Sequence, residues 1–135
     1  MNEGPARSTA ARGGPVRTSP TKNSQPPPRN GAEVRAARWY RLRAWRVLDH
    51  NRWLGGAELD LVVRRGRVLA FVEVKSKSGD RFGDPLEMVT PVKIARIQRA
   101  AQLWLRLHPE LAELNVRFDV IAERAGKIEH LPDAF

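Results

Sequence analysis

Two runs rich in valine, leucine and phenylalanine, Glu58 to Arg64 and Arg67 to Lys75, are separated only by Arg65-Gly66. So short a link joins two strands as an antiparallel hairpin, and any fold for this chain has to be built around that pair. Side chains alternate along a strand, so Glu58 and Asp60 share one face, and Glu73 and Lys75 share one face of theirs. With Arg65-Gly66 as a two-residue loop, or 64–67 as a four-residue one, Glu58 opposes Glu73 and Asp60 opposes Phe71. Three acids and a lysine then gather on one side of the sheet. A slip of one residue would carry Glu73 to the other face and dissolve the cluster.

The elements around the hairpin follow from periodicity and punctuation. Gly31 to Arg43 reads as a helix, with Val34, Ala37 and Leu42 among charged and aromatic neighbours. Trp45 to Trp53 alternates like a strand and ends in the turn Leu54-Gly55-Gly56. Ser76 to Thr90 is a polar loop holding Gly79, Gly83 and Pro85. Thr90-Pro91 opens a second helix with a capping hydroxyl and a proline at the first helical position. This helix should stop near Leu107, because His108 precedes Pro109. Arg117 to Glu123 and Lys127 to Leu131 form a last strand pair turning at Ala125-Gly126. The order α, β, β, β, α, β, β predicts an α/β fold, a mixed sheet flanked by helices.

Residues 1–30 are of another kind. They hold six of the ten prolines, no aromatic residue, and five basic residues against Glu3, a charge of +4 that leaves +5 of the chain's +9 on residues 31–135. Such a segment cannot bury enough apolar surface to offset its ordering entropy, so it is expected to be a disordered basic tail ahead of one domain, 31–135. The absence of cysteine excludes disulfide frameworks, thiolate metal sites and thiol nucleophiles. With no apolar run of membrane-spanning length, a cytoplasmic protein without membrane contact is expected. A sequence pI near 11.2 suits a polyanionic partner, though it serves solubility equally well.

Acids crowded together are costly unless something neutralises them, and a divalent metal does so. Hard cations such as Mg²⁺ take carboxylate, carbonyl and water oxygens, which makes Asp60, Glu73 and the Val74 carbonyl ligand candidates. Lys75, two residues from Glu73, could orient an attacking water and offset negative charge at phosphorus. A cross-strand ion pair between Lys75 and Glu58 or Glu73 explains the same spacing.

Asp60, followed thirteen residues later by Glu73-Val74-Lys75 and preceded by a helix bearing Glu33, resembles the PD-(D/E)xK nuclease superfamily. More narrowly, six blocks in order resemble the YraN-type family of uncharacterised proteins. They are Gly56-Ala57-Glu58-Leu59-Asp60-Leu61, Phe71-Val72-Glu73-Val74-Lys75, Arg81-Phe82-Gly83-Asp84-Pro85, Val89-Thr90-Pro91, Arg117-Phe118-Asp119-Val120 and the ending from Ile128 to Phe135. Ala57 departs from the family's Gly-Glu-Ile-Asp run, a change confined to the turn. The resemblance implies a restriction-endonuclease-like αβββαβ core, and the intact site motif gives the expectation of a metal-dependent endonuclease with DNA favoured over RNA as substrate and branched or flapped structures as candidates, a choice the sequence itself leaves open. Asp60 and Glu73 would bind Mg²⁺ or Mn²⁺, Lys75 would serve the nucleophile, and Glu33 could complete the metal's shell. A nucleic-acid-binding adaptor that kept the fold without turnover is the alternative. Resolvase-like cutting of two opposed strands would imply a homodimer, with Trp104 and Phe82 as interface candidates.

Other residues carry two readings each. Glu33 near a helix start is also favoured there by the macrodipole. Glu58 and Gln98 are accessory candidates, Gln98 being equally suited to a solvent boundary. Lys93 and Arg96 on the second helix, and Arg64, Arg65 and Arg67 around the hairpin turn, are candidate phosphate contacts or plain solubilising charge. Trp39 to Arg46 interleaves aromatic and basic residues as nucleic-acid surfaces do, yet Trp45 is expected in the core. Asp119 is expected to pair structurally with Arg117 or a neighbouring strand. His50, His108 and His130 lack ligand spacing and receive no role.

Overall fold

The structure is a computed structural model that describes residues 31–77 and 89–135. The expected tail and most of the polar loop, including Phe82, lie outside the described residues. The elements are α1 (Gly31–Arg41), β1 (Arg46–Leu54), β2 (Ala57–Arg65), β3 (Val68–Lys77), α2 (Pro91–Leu107), a 3₁₀ turn (Pro109–Leu111), β4 (Asn115–Arg124) and β5 (Lys127–Leu131). The five strands form one mixed sheet in the order β1-β2-β3-β4-β5. All neighbours are antiparallel except β3 and β4, which run parallel and are joined through α2. The α/β class and the element order are as the sequence predicts.

The central strands are buried on both faces, which is why β3 reads as a nearly continuous apolar run. Leu69 and Phe71 pack with Val62 beneath α2, against Ile97, Ala100, Ala101 and Trp104. Ala70 and Val72 pack with Leu61 and Val63 beneath α1, against Ala36, Ala37 and Tyr40. Trp45 is buried, as expected. Trp104 is only 1% exposed and makes an edge contact with Phe71, so it belongs to the core and offers no dimer interface. Helix α2 starts as its sequence dictates, with Thr90 Oγ1 accepting the Lys93 N–H at 3.2 Å and Pro91 at the first helical position.

Three expectations need correction. The β2–β3 turn is centred on Gly66-Arg67, with Arg65 opposite Val68, so Leu61 faces Val72 and the register lies two residues from the expected one. Gly66 has φ +60° at the first central position, the conformation a II′ turn requires there, and this selects the shifted turn. A shift of two preserves which face each residue meets. Helix α1 ends at Arg41, and Leu42 and Val34 are exposed; its buried side is Ala32, Glu33, Ala36, Ala37 and Tyr40. Finally, alternation along β2 breaks at Asp60. Leu61 and Val63 pack under α1, but Leu59 and Ala57 join the α2 cluster. Across from the break, on β1, buried Asn51 lies in the interval between the His50–Leu61 and Arg52–Leu59 pairs and adopts φ +49°.

Gly55, in the β1–β2 turn, also has positive φ (+60°), and a Cβ there would stand 2.6 Å from Leu103 Cδ1. Gly55→Ala therefore meets both backbone strain and a collision with α2. It is expected to cost about 1–3 kcal/mol in urea unfolding, whereas Gly66→Ala, with open space around its Cβ, should show the strain alone.

Candidate active site

Below the Leu61–Val72 pair the β2–β3 ladder opens. Val74 N–H donates instead to Asp60 Oδ2 at 2.9 Å, so a side-chain carboxylate takes the place of a strand carbonyl. The N–H and C=O of a strand residue point to the same edge, and the Val74 carbonyl therefore turns toward the same gap. Four elements meet here: the carboxyl half of β3, the first half of β2, the start of α1 and the first turns of α2. The gap widens into a cleft of about 440 Å³ lined by Trp53, Glu58, Asp60, Glu73, Lys93 and Arg96 among others. Clefts at the carboxyl ends of parallel strands are the usual ligand sites of α/β sheets.

The electrostatics follow from crowding. Asp60 and Glu73 are both buried. Burial, the neighbouring Glu73 and, more weakly, Glu33 push the Asp60 carboxyl up to about 7, against the opposing pull of the Val74 N–H. Glu73 Oε2 is met by two ammonium groups, Lys93 Nζ at 2.7 Å and Lys75 Nζ at 3.1 Å. Burial and the adjacent Lys93 hold Lys75 below the usual lysine range, with Glu73 opposing. Lys93 moves the other way: burial would lower it, but the bonds to Glu73 and Lys75 hold it above that range. Glu33, buried at the start of α1, accepts from Asn51 Nδ2 at 2.9 Å.

Asp60, Glu73, Val74 and Lys75 thus come together, though through the opened ladder and the Val74–Asp60 bond and not through the expected register, with Glu33 near enough to be felt by Asp60 and Glu58 lining the cleft. Lys93 is in the site, bound to Glu73, and not on the helix's outer face. Arg96 lines the cleft beside it. Gln98 is not brought there; it lines a separate depression with Gln102 and Phe118. Arg64, Arg65 and Arg67 sit at the far end of the hairpin, about 13–20 Å from Asp60 along β2. Each donates to a main-chain carbonyl there: Gly66, Arg43 and Glu113 respectively.

A metal fits this donor set in one way. Among the described residues no group of three or more His, Asp or Glu side chains is placed so that it could hold a metal ion. Asp60 and Glu73 are two carboxylates lining an open cleft, and hard divalent ions such as Mg²⁺ are of the kind held by one or two carboxylates with waters completing the shell.

Comparison with known proteins adds the lineage. The model of "Uncharacterised protein family UPF0102" matches residues 32–122. The chain belongs to UPF0102. A UPF0102 protein of Paramagnetospirillum magneticum is 40% identical over 123 residues, covering 86% of this chain and 94% of its own. Another, from Anaeromyxobacter dehalogenans, is 43% identical over 107 residues, 76% and 79% of the two chains. A third, from Beutenbergia cavernae, is 45% identical over 101 residues, 71% and 85%. The matched span of this UPF0102 chain contains every residue of the cleft described above. No helix among the described residues is long and apolar enough to cross a membrane.

Sequence reasoning missed two members of this UPF0102 site. Asn51, which donates to Glu33 from a left-handed backbone position on β1, gave no signal in the sequence. Trp53 was visible only as the end of a strand, although it proves to line the cleft. The aromatic residues that the sequence singled out are engaged elsewhere: Trp39 packs against Tyr40 and His130 with Arg43 over its ring, and Trp45 lies under Arg65 and Arg117.

Proposed function

We propose that the cleft is the active site of a metal-dependent endonuclease that hydrolyses phosphodiester bonds in DNA, within the PD-(D/E)xK superfamily that the motif resembles. The observation that carries this reading is the opened β2–β3 ladder. It brings Asp60, Glu73 and the Val74 carbonyl to one gap, with Lys75 two residues along and the Asp60 carboxyl raised to about 7 by burial and the neighbouring Glu73. Asp60 and Glu73, with the Val74 carbonyl and Glu33 beside them, would hold Mg²⁺ or Mn²⁺. Such an ion supplies the positive charge that activates water and offsets charge developing at phosphorus.

The chain's own groups do the rest. Lys75, held by Glu73 and depressed by burial, is poised to position the water and steady the phosphoryl oxygens. Lys93 can leave Glu73 for a phosphate oxygen once another cation takes its place, since it is the more exposed of the two lysines. Arg96 extends that grip along the backbone without reading bases.

The test is cleavage of a labelled panel of linear, flapped and branched DNA, with RNA counterparts, in Mg²⁺ or Mn²⁺. Lys75→Ala should bind the panel within a few-fold of wild type and cut at least about 100-fold more slowly. Wild type that binds and never cuts would leave the second reading, a nucleic-acid-binding adaptor. One observation favours that alternative: two lysines already neutralise Glu73 internally.

A further inference from the structure

Trp53 is 61% exposed at the mouth of the cleft, whereas Trp45 is 5% and Trp104 1% exposed. An indole left largely in water forgoes the stabilisation that burial gives Trp45 and Trp104, so its position on the wall of a charged cleft calls for an occupant. It stands cross-strand from Glu58, two residues from Asp60. Val92, also 61% exposed, lines the same cleft, and Lys93 and Arg96 line it from α2.

We propose that Trp53 is a stacking platform for an unpaired nucleobase next to the phosphate at Asp60 and Glu73. The cleft then accepts nucleic acid only where a base is free to leave its stack. This rests on the nuclease reading above and adds to it the substrate class, strands with unpaired bases at the cleavage position.

The mixture of groups selects the occupant. An apolar protein segment laid on Trp53 and Val92 would cover the exposed Arg96 on the same cleft wall without offering it an anion, a heavy cost. A nucleotide divides its chemistry as the cleft does: a flat neutral base for the indole, and an anionic phosphate for Lys93 and Arg96. The cleft, about 440 Å³, lies within the size range of small-ligand pockets.

The experiment uses the full chain carrying Asp60→Asn, so that strands are bound without being cut. Its tryptophan emission and affinity are measured with a single-stranded thymidine oligonucleotide, a blunt duplex of equal length and an abasic strand. The expected result is quenching by the thymidine strand and weaker binding of the duplex and the abasic strand. In that background Trp53→Ala should lose about 5- to 100-fold in affinity for the thymidine strand, while Trp53→Phe should abolish the quench and keep most of the affinity. If the chain that keeps Trp53 and its Trp53→Phe and Trp53→Ala variants all bind thymidine and abasic strands equally well, the stacking role is overturned and the nucleic-acid reading stands. Failure of the chain that keeps Trp53 to bind any of the three would overturn both. Concentration-dependent change of the Trp53 signal without nucleic acid would assign the indole to a second copy of the chain and overturn the proposal.

Discussion

Asp60→Asn is expected to reduce metal-dependent cleavage to background and, at the same time, to make the metal-free protein more stable at pH 8. The two effects have one origin. In the folded chain the Asp60 carboxyl is pushed up to about 7 by burial and by Glu73, whereas in an unfolded chain it ionises near 3.9. Between those values the native state binds more protons than the unfolded state. Stability therefore falls as pH rises through about 4 to 7, and the full cost is present above that window. Asparagine cannot ionise, and its amide oxygen can still accept the Val74 N–H that Asp60 Oδ2 accepts at 2.9 Å. Denaturant unfolding at pH 5 and pH 8 should show wild type losing stability across the interval and the variant staying level. The gap at pH 8 should be about 2–4 kcal/mol. Adding Mg²⁺ should raise the wild-type midpoint and leave the variant's nearly unchanged. Parallel pH profiles for the two proteins would refute this account of the site.

The second large effect is expected far from the cleft. Asp119 is fully buried, and its carboxylate accepts from Tyr40 Oη at 2.9 Å, Arg117 Nε at 2.9 Å and Asp133 N at 3.0 Å, with His130 Nε2 2.9 Å away. Burial would raise its pKa, but the bonds from His130, Asp133, Arg117 and Tyr40 outweigh it and hold the group below the usual carboxylate range. Tyr40, buried against that carboxylate, is raised in turn. Asp119→Ala leaves an arginine, a phenol and a main-chain N–H without their acceptor, and should cost about 3–5 kcal/mol. Asp119→Asn should cost less, keeping an acceptor but losing the charge. The pH dependence has the opposite sign to that of Asp60. A depressed native pKa contributes stability above the unfolded value and loses it as pH falls through the native one, so this part of the wild-type acid transition lies below about pH 4. It should be missing from both variants in acid-unfolding curves.

The sequence disclosed most where one physical constraint acted alone. The apolar runs across Val62, Val63, Ala70, Phe71 and Val72 identified the two strands of the hairpin, and Thr90-Pro91 located the start of α2 to the residue. The expected pairing of Asp119 with Arg117 is present, enlarged by partners from α1 and the chain's end. Legibility failed where two constraints competed. The hairpin could turn about Arg65-Gly66 or Gly66-Arg67, and only Gly66's backbone conformation decides between them. The strict alternation expected for Glu58 and Asp60 breaks opposite the left-handed Asn51 on a different strand, which no pattern within β2 could reveal. Lys93 looked like one more cation on a polar helix face, because nothing local says that the first turn of α2 abuts the end of β3. Val34 and Leu42 were chosen as apolar contacts of α1 by residue type, but small alanines let the helix settle closely on the sheet and Tyr40 supplies the bulk.

The parallel pairing of β3 with β4 has a consequence for how the chain acquires its shape. Strands β1 to β3 form a meander of neighbours in sequence, whereas Val68 must find Asn115, on the far side of α2. Local hairpins close in microseconds, while long-range parallel pairing waits on the closure of a large loop. The meander that carries Asp60 and Glu73 is thus expected to assemble early. Until β4 docks, one edge of β3 is an unpaired template of apolar residues, open to any other strand. Folding yield should accordingly be limited by protein concentration during that interval, and the residues around Asp119, which join β4 to α1 and to the last turn of the chain, act as the latch that ends it.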